Sequence, residues 1–509
     1  MDALFLEQTL GITNPYTQFQ AEESVSRWPT NLMQCRSRSS CFRSLKAHLH
    51  DEKAPNWSLV TKSVETLEPL LRPPTTTETE SYSQVRFSGS PWSTLNSVPF
   101  ALLFLSIYKS YVVPTASILL PLISWIMPYI LLKTFYAIDI HFTEYCKILW
   151  RIWNGHPMPR TPEELLLPPP EQPKDPILQM KQLFQNGWTV VTLGQALWQP
   201  IQQARHFMKL DVTSMELGHS VVLLKEEAVS IYKKWNRWLP SWLSSWISLC
   251  PNDSREAFSF VLDTPFWMVH LLRALGRFEF LWRLAEREDV HPVEFVDSEE
   301  PVLLLKEFGD PLIPMDRRVT SSFRLGKGSV QNHAILTGPN RGGKSSILRG
   351  ILLNVRLAHA VGAAFANKMQ LSHFTWIADG LRLNDMPGEV SMFEREIQFA
   401  RNILHKTDGK GLILYDELFH STNPPDAIRT SQAFCSQLWE KKHCISIVST
   451  HVYSLAREAP SSSVKQLCVA SWKHPDGTYT FSYALQRGIC EVSSVDLLLE
   501  QNGLLAPSC

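Results

Sequence analysis

The stretch His333 to Ser345, HAILTGPNRGGKS, constrains this chain more than any other. A short apolar run reaches Gly338 and is followed by Gly338-Pro339-Asn340-Arg341-Gly342-Gly343-Lys344-Ser345, the spacing G-x-x-x-x-G-K-[ST]. Between a strand and a helix, that spacing is what a phosphate-cradling P-loop needs. The glycines let backbone N–H groups turn toward phosphate oxygens. The helix expected over Ser346 to Gly362 points its positive end the same way. In such a loop Lys344 reaches the outer phosphates and Ser345 offers its hydroxyl to Mg2+. A glycine-rich turn matching by chance would lack the flanking strand and helix.

Two further apolar runs end in polar residues. Gly411 to Glu417 (GLILYDE) reads as a buried strand whose tip carries Asp416 and Glu417, about seventy residues after the loop. Asp416 there suits the Mg2+ shell, usually through water. Glu417 is the candidate base that aligns an attacking water. Cys444 to His451 (CISIVSTH) reads as another buried strand with His451 at its C-terminal end. A lone histidine is more often structural, but the end of a parallel strand is where ligand-facing residues sit.

The 509 residues allow about three domains. Lys+Arg and Asp+Glu both total 49, which excludes coating of nucleic acid by global charge but not a local basic patch. The nine cysteines show no CxxC and no zinc spacing, which suggests a reducing, intracellular compartment. The first residues lack the basic and apolar regions of a secretory signal.

Residues 1–97 are polar and irregular and read as a poorly ordered N-terminal arm with a helix or two. Residues 98–155 read as an apolar, membrane-associated segment with a flanking amphipathic helix. Within them Tyr111 to Leu132 is 22 residues without charge, and Pro114, Pro121 and Pro128 recur every seventh residue. One kinked span, a re-entrant hairpin and a buried core hairpin all remain open, with membrane contact expected over about 98–138. Residues 156–177 form a proline-rich linker. Residues 178–300 read as a helical core, with Trp235, Trp238, Trp242 and Trp246 on one helical face interrupted by Pro240. Residues 301–509 alternate short apolar runs with helical segments, as an α/β domain with a mostly parallel sheet does.

Thr337 to Ser345 (TGPNRGGKS) resembles the loop form particular to the MutS family of DNA mismatch repair proteins. Other segments resemble the same family. Asp310 to Asp316 (DPLIPMD) is similar to the short segment ahead of the loop strand. Gly388 to Glu396 (GEVSMFERE) is similar to the S-T-F-x-x-E segment, with Ser391 at the signature serine and Asp385 at an acidic position before it. Asp426 stands at an aspartate that ends a Gly/Ser/Thr-rich loop. His451 stands in the family's T-H pair, and Arg487 to Ser494 (RGICEVSS) is similar to a G-x-C-x-x-S segment. The sequence departs from the pattern at 419–423, at Met392, at Ala427, and at Leu312, where an aromatic that stacks on adenine is usual. No N-terminal wedge domain is recognisable.

The resemblance covers roughly residues 301–509. It implies an α/β fold: a P-loop NTPase domain of the ABC/MutS type, preceded by a mostly α-helical region and the apolar segment. It implies an ATPase using ATP and Mg2+. The 338–343 backbone, Lys344, Ser345 and Ser346 would bind the nucleotide. Ser345 and Asp416 would hold the metal, and Glu417, His451 and Lys344 would serve hydrolysis. Ser391 of a second subunit would complete the site, so ATP would close a homo- or heterodimer coupled to mismatched or branched DNA. Two other readings stay open: a membrane-tethered ATPase without DNA, its ATPase domain on the cytosolic side, and a nucleotide-gated scaffold that does not hydrolyse. A nuclear or DNA-associated site belongs to the first reading.

Overall fold

The mainly apolar runs HAILT, GLILY and CISIVS are buried at every position, as strands covered on both faces of a parallel sheet are. The computed structural model of the chain describes residues 3–49, 54–136, 138–153, 176–381, 391–474, 479–492 and 499. The linker up to residue 175, Asp385 and Ser494 lie outside these.

The helices are α1 (Ala3–Leu10), α2 (Pro15–Ser26), α3 (Leu32–His48), α4 (Trp57–Leu71), α5 (Thr76–Gln84), α6 (Ala101–Ile107), α7 (Val113–Thr134) and α8 (Phe142–Trp153). After the linker come α9 (Pro176–Trp235), α10 (Trp242–Leu249), α11 (Ser254–Asp263), α12 (Pro265–Glu286), α13 (Lys344–Val361), α14 (Met392–His405), α15 (Pro424–Leu438) and α16 (Tyr453–Glu458). The strands are β1 (His291–Pro292), β2 (Glu294–Phe295), β3 (Val302–Phe308), β4 (Ser321–Gly326), β5 (His333–Thr337) and β6 (Ala363–Ala364). They continue with β7 (Ala366–Leu371), β8 (Trp376–Gly380), β9 (Gly411–Tyr415), β10 (Cys444–Ser449), β11 (Val464–Lys473) and β12 (Tyr479–Arg487).

The chain forms two units, and neither is contiguous. The first comprises residues 1–57, 230–243 and 270–509. Its main sheet runs β12-β11-β5-β10-β9-β8. Strands β11, β5, β10, β9 and β8 are parallel, and β12 returns antiparallel to β11. The C-terminal ends of β5, β10 and β9 therefore lie side by side on one edge, where ligands bind in open parallel sheets. A second sheet, β2-β7-β3-β4, was not foreseen. Ile347, Leu348, Ile351 and Val355 of α13 fill the space against Leu336, Leu412, Ile447 and Val469 of the main sheet and Leu305 and Phe323 of the second. On the other face Phe434, Leu438, Ile403 and Leu455 from α14–α16 cover Ile413, Tyr415 and Val448.

The reading of residues 1–97 as a poorly ordered arm is corrected. Helices α1–α3 belong to this first unit, and α3 lies against α13, β1 and β2. Asn14 and Asn31 cap α2 and α3 through their side chains. Along α3 the buried residues are Cys35, Ser39, Phe42 and Leu45, a stripe at helical spacing that its basic and serine neighbours mask in any composition average. Trp28 stacks on His359 at 4.3 Å and donates its indole N–H to the Phe374 carbonyl at 2.7 Å. Thr17 donates to buried Glu279 at 2.6 Å. The tryptophan face is split as well: α9 ends at Trp235, Trp238 lies in a 3-10 turn, and Trp242 opens α10 beyond Pro240. Trp235 packs edge-on against Trp282, 4.9 Å between centroids.

The second unit, residues 58–229 and 244–269, is helical. Asp211 of α9 accepts from both Nε and Nη2 of Arg255 (3.1 and 2.8 Å) and from Ser106 (2.8 Å). The uncharged run passes straight through Pro121 and Pro128 within α7. Helix α8 then folds back, with Tyr145 donating to the Trp125 carbonyl at 2.6 Å. Leu120, Ile123, Trp125 and Ile130 of α7 are exposed, as are Leu183, Phe184 and Trp188 near the start of α9.

His333, buried at the start of β5, carries a pH signature. Its Nε2 donates to the Lys441 carbonyl (3.1 Å) and its Nδ1 accepts from Ser446 (2.8 Å), the pattern of a neutral ring. Burial pushes its pKa from 6.5 down to about 4. Between those values the unfolded chain binds the proton and the folded chain does not, so stability falls as pH drops through this window and is retained above it. Thermal melts at stepped pH should show this loss. His333→Gln, which can keep the bond to Lys441, should flatten it by about 3 kcal/mol between the two ends.

Candidate functional site

Thr337 closes β5, and its hydroxyl accepts the Cys490 N–H at 3.0 Å. The segment at 487–494 is thus fastened to the start of the glycine loop as far as it is described. Gly343 has φ +102°, a conformation that a side chain would strain, and Lys344 starts α13 immediately after it. Beside this loop opens a cavity of about 390 Å3. It is lined by Pro339, Asn340, Arg341, Gly343, Lys344, Ser345 and Ser346 from the loop, and by Glu417 from beyond β9.

The Lys344 ammonium is buried. It donates to the carbonyls of Gly338 (2.8 Å) and Pro339 (3.2 Å) and lies 3.2 Å from His451 Nε2. Burial lowers its pKa, opposed by the carboxylates of Glu417 and Asp416. Burial lowers the His451 pKa too; the Lys344 charge adds to this, and Glu417, 3.7 Å away, and Asp416 oppose it. A neutral ring accepting from Lys344 follows.

Asp416 and Glu417 are joined by Ser449, which the sequence reading passed over. The Ser449 hydroxyl donates to Asp416 Oδ1 at 2.5 Å and accepts the Glu417 N–H at 2.8 Å. Its one visible signal was a polar residue at the tip of a buried strand. Glu417 itself has φ +52°, a left-handed conformation costing roughly 1–2 kcal/mol for a residue with a Cβ. Such strain clusters where a side chain must be aimed.

The other expected residues divide. Asp310, the first residue of the entry segment, lines the cavity and is paired with Arg349 of α13 at 2.5 Å. Leu312 is not among the lining residues, whereas Ile313, Arg317 and Val319 are. The aromatic rings at the cavity come from elsewhere, from Phe308 on β3 and Tyr483 on β12. Tyr483 was missed because the hairpin β11–β12 brings it in from 139 residues beyond Lys344. Ser391 caps α14, accepting the Glu394 N–H at 3.3 Å, and does not line the cavity of its own chain. Asp426 serves the cap of α15 through Asn423.

A mixed α/β domain with a glycine loop at one strand tip and two acids at another is the class these features define. The family model for MutS domain V matches residues 334–497. The DNA mismatch repair protein Msh6 of Gallus gallus is 31% identical over 217 residues, 39% of this chain and 16% of that protein. Msh6 of Homo sapiens is 28% identical over 216 residues, 40% of this chain and 16% of that protein. The DNA mismatch repair protein MSH3 of Arabidopsis thaliana is 27% identical over 290 residues, 52% of this chain and 25% of that protein. The likeness to the MutS family thus rests on residues within the C-terminal part, and the match spans a quarter or less of these relatives' own length.

Proposed function

We propose that the C-terminal domain is a P-loop ATPase that binds MgATP in the cavity beside 338–343 and hydrolyses it, in a MutS-type cycle where ATP closes a dimer acting on mismatched or branched DNA. The carrying observation is the convergence of Lys344, Asp416, Glu417 and His451 on the tips of adjacent parallel strands, beside a cavity of nucleotide size. The relatives' names support the DNA role.

The donor set fits the nucleotide. Loop amides and Lys344 would hold the phosphates, and Ile313, Val319 and Tyr483 would wall the base. Among the described residues no cluster of three or more His, Cys, Asp or Glu could cage a metal. That suits Mg2+, which keeps waters and phosphate oxygens and would need only Ser345 and Asp416. The bound metal supplies charge neutralisation at the phosphates. Glu417 would orient water, His451 would sense the outer phosphate, and Ser391 of a second subunit would complete the site.

Phosphate release by the full chain, with mismatched, matched and branched duplexes, tests this reading. The full chain is required because α1–α3 belong to the same unit as the loop. DNA that neither binds nor alters turnover would remove the repair role and leave the ATPase. For Tyr483→Ala we expect ATP affinity to fall about tenfold, the worth of a modest stacking surface, with Tyr483→Phe near wild type. Calorimetric titration of a non-hydrolysable analogue reads this directly.

A second reading concerns α6 and α7. Ala101–Pro121 is, among the described residues, the one stretch long and apolar enough to cross a membrane, and only 22% of it is buried. We propose that this part of the helical unit enters a bilayer. Flotation of the full chain with liposomes, lost in a Leu120→Arg, Ile126→Arg variant, would support it; a chain that never floats would end it. A reducing intracellular compartment, with the ATPase domain on the cytosolic side, is part of this proposal.

A further inference from the structure

At the other end of the same strands lies a second concave surface. Three cations meet there: Arg324 from β4, Lys465 at the start of β11 and Arg487 at the end of β12. They line an open cavity of about 800 Å3 with the turn 328–331, and no carboxylate is among the lining residues. Other arginines of this unit are paired with acids: Arg349 with Asp310, Arg318 with Asp289, Arg356 with Asp379 and Arg457 with Glu491. Arg324, Lys465 and Arg487 have no acidic partner among the described residues.

The cluster is held in place rather than splayed. Arg324 Nε donates to the Lys327 carbonyl at 3.2 Å, leaving both terminal nitrogens. Lys465 Nζ donates to the Arg324 carbonyl at 3.1 Å and keeps two further protons. Gly328, at φ +81°, leaves the space that the Arg324 guanidinium occupies; a Cβ there would sit 2.4 Å from Nη2. Lys465 is half-buried and feels Arg487 as a like charge. Like charges gathered in a concave site repel, and field focusing makes the site attract a counter-ion.

We propose that this cavity binds a phosphate-bearing ligand through consecutive phosphoryl groups, independently of the nucleotide cavity. Three cations in one site call for a dense anion. Adjacent phosphates carry that charge and match the guanidinium forks, whereas a lone carboxylate does not. No aromatic ring is among the described residues that line the cavity, so recognition rests on charge and not on a base. Free polyphosphate and the phosphodiester backbone of a nucleic acid share this chemistry.

The probe is pyrophosphate, titrated calorimetrically into the full-length Lys344→Ala chain, where the nucleotide cavity has lost its lysine. One site is expected, weakening with added salt. Arg487→Gln or Lys465→Gln should each weaken it about tenfold and the pair about a hundredfold, while Arg487→Lys retains most of it. Both positions are partly or fully exposed, so circular dichroism should be unchanged. No binding in Lys344→Ala, or equal binding in the double variant, overturns the proposal. Displacement of pyrophosphate by a short single-stranded oligonucleotide would identify a phosphodiester as the source. Failure to displace it would identify a free polyphosphate.

Discussion

Lys344→Ala is expected to cut ATP turnover by at least about a hundredfold, the loss typical of removing one preorganised charge donor from a reacting phosphate. The reason lies in where the ammonium sits. It is buried at the first turn of α13, tied to the carbonyls of Gly338 and Pro339 and close to His451. Those carbonyls are weak partners for a full charge, so a phosphate reaching the loop gains the ammonium without reorganising it. Because the same bonds also brace the loop, a loss of activity could come from a slackened loop. Lys344→Met separates the two: it keeps the length and the packing but not the charge. We expect the same loss of turnover with a melting temperature within a few degrees of wild type. Phosphate release and a thermal melt on one preparation check both. If Lys344→Met turned over ATP normally, the loop would not be the nucleotide site.

Legibility in the sequence followed locality. The loop, its strand and its helix lie within one unbroken stretch, and spacing alone places Gly338 to Ser346. Asp416, Glu417 and His451 were readable because they follow short, mainly apolar runs of strand length. What could not be read is what distant segments bring together. Ser449 joins the two acids only because β9 and β10 are neighbours in the sheet. Tyr483 reaches the cavity through a hairpin, and Asp310 is consumed by Arg349. The N-terminal helices were misread for a different reason. Their buried stripe is built from Cys35, Ser39, Phe42 and Leu45, small or isolated apolar residues among arginines and serines. Their partners, α13 and β1–β2, lie roughly 250 residues or more further along the chain.

Glu417→Gln is expected to leave ATP binding intact and to slow turnover about a hundredfold to a thousandfold, within the range of a lost general base. Glutamine matches the shape, so the strained backbone at φ +52° and the N–H bond to Ser449 should persist. Only the capacity to take a proton goes. Ser449→Ala should act through Glu417 and Asp416 together, since one hydroxyl holds both. It should lower turnover less than Glu417→Gln but weaken Mg2+ dependence as well, which Glu417→Gln should not. Single-turnover phosphate release across a magnesium titration distinguishes them. Unchanged turnover in Glu417→Gln would mean that the strain at this position aims the carboxylate for something other than water. The reading as a nucleotide-gated scaffold would then gain, because the cavity and Lys344 could still respond to bound ATP without hydrolysing it.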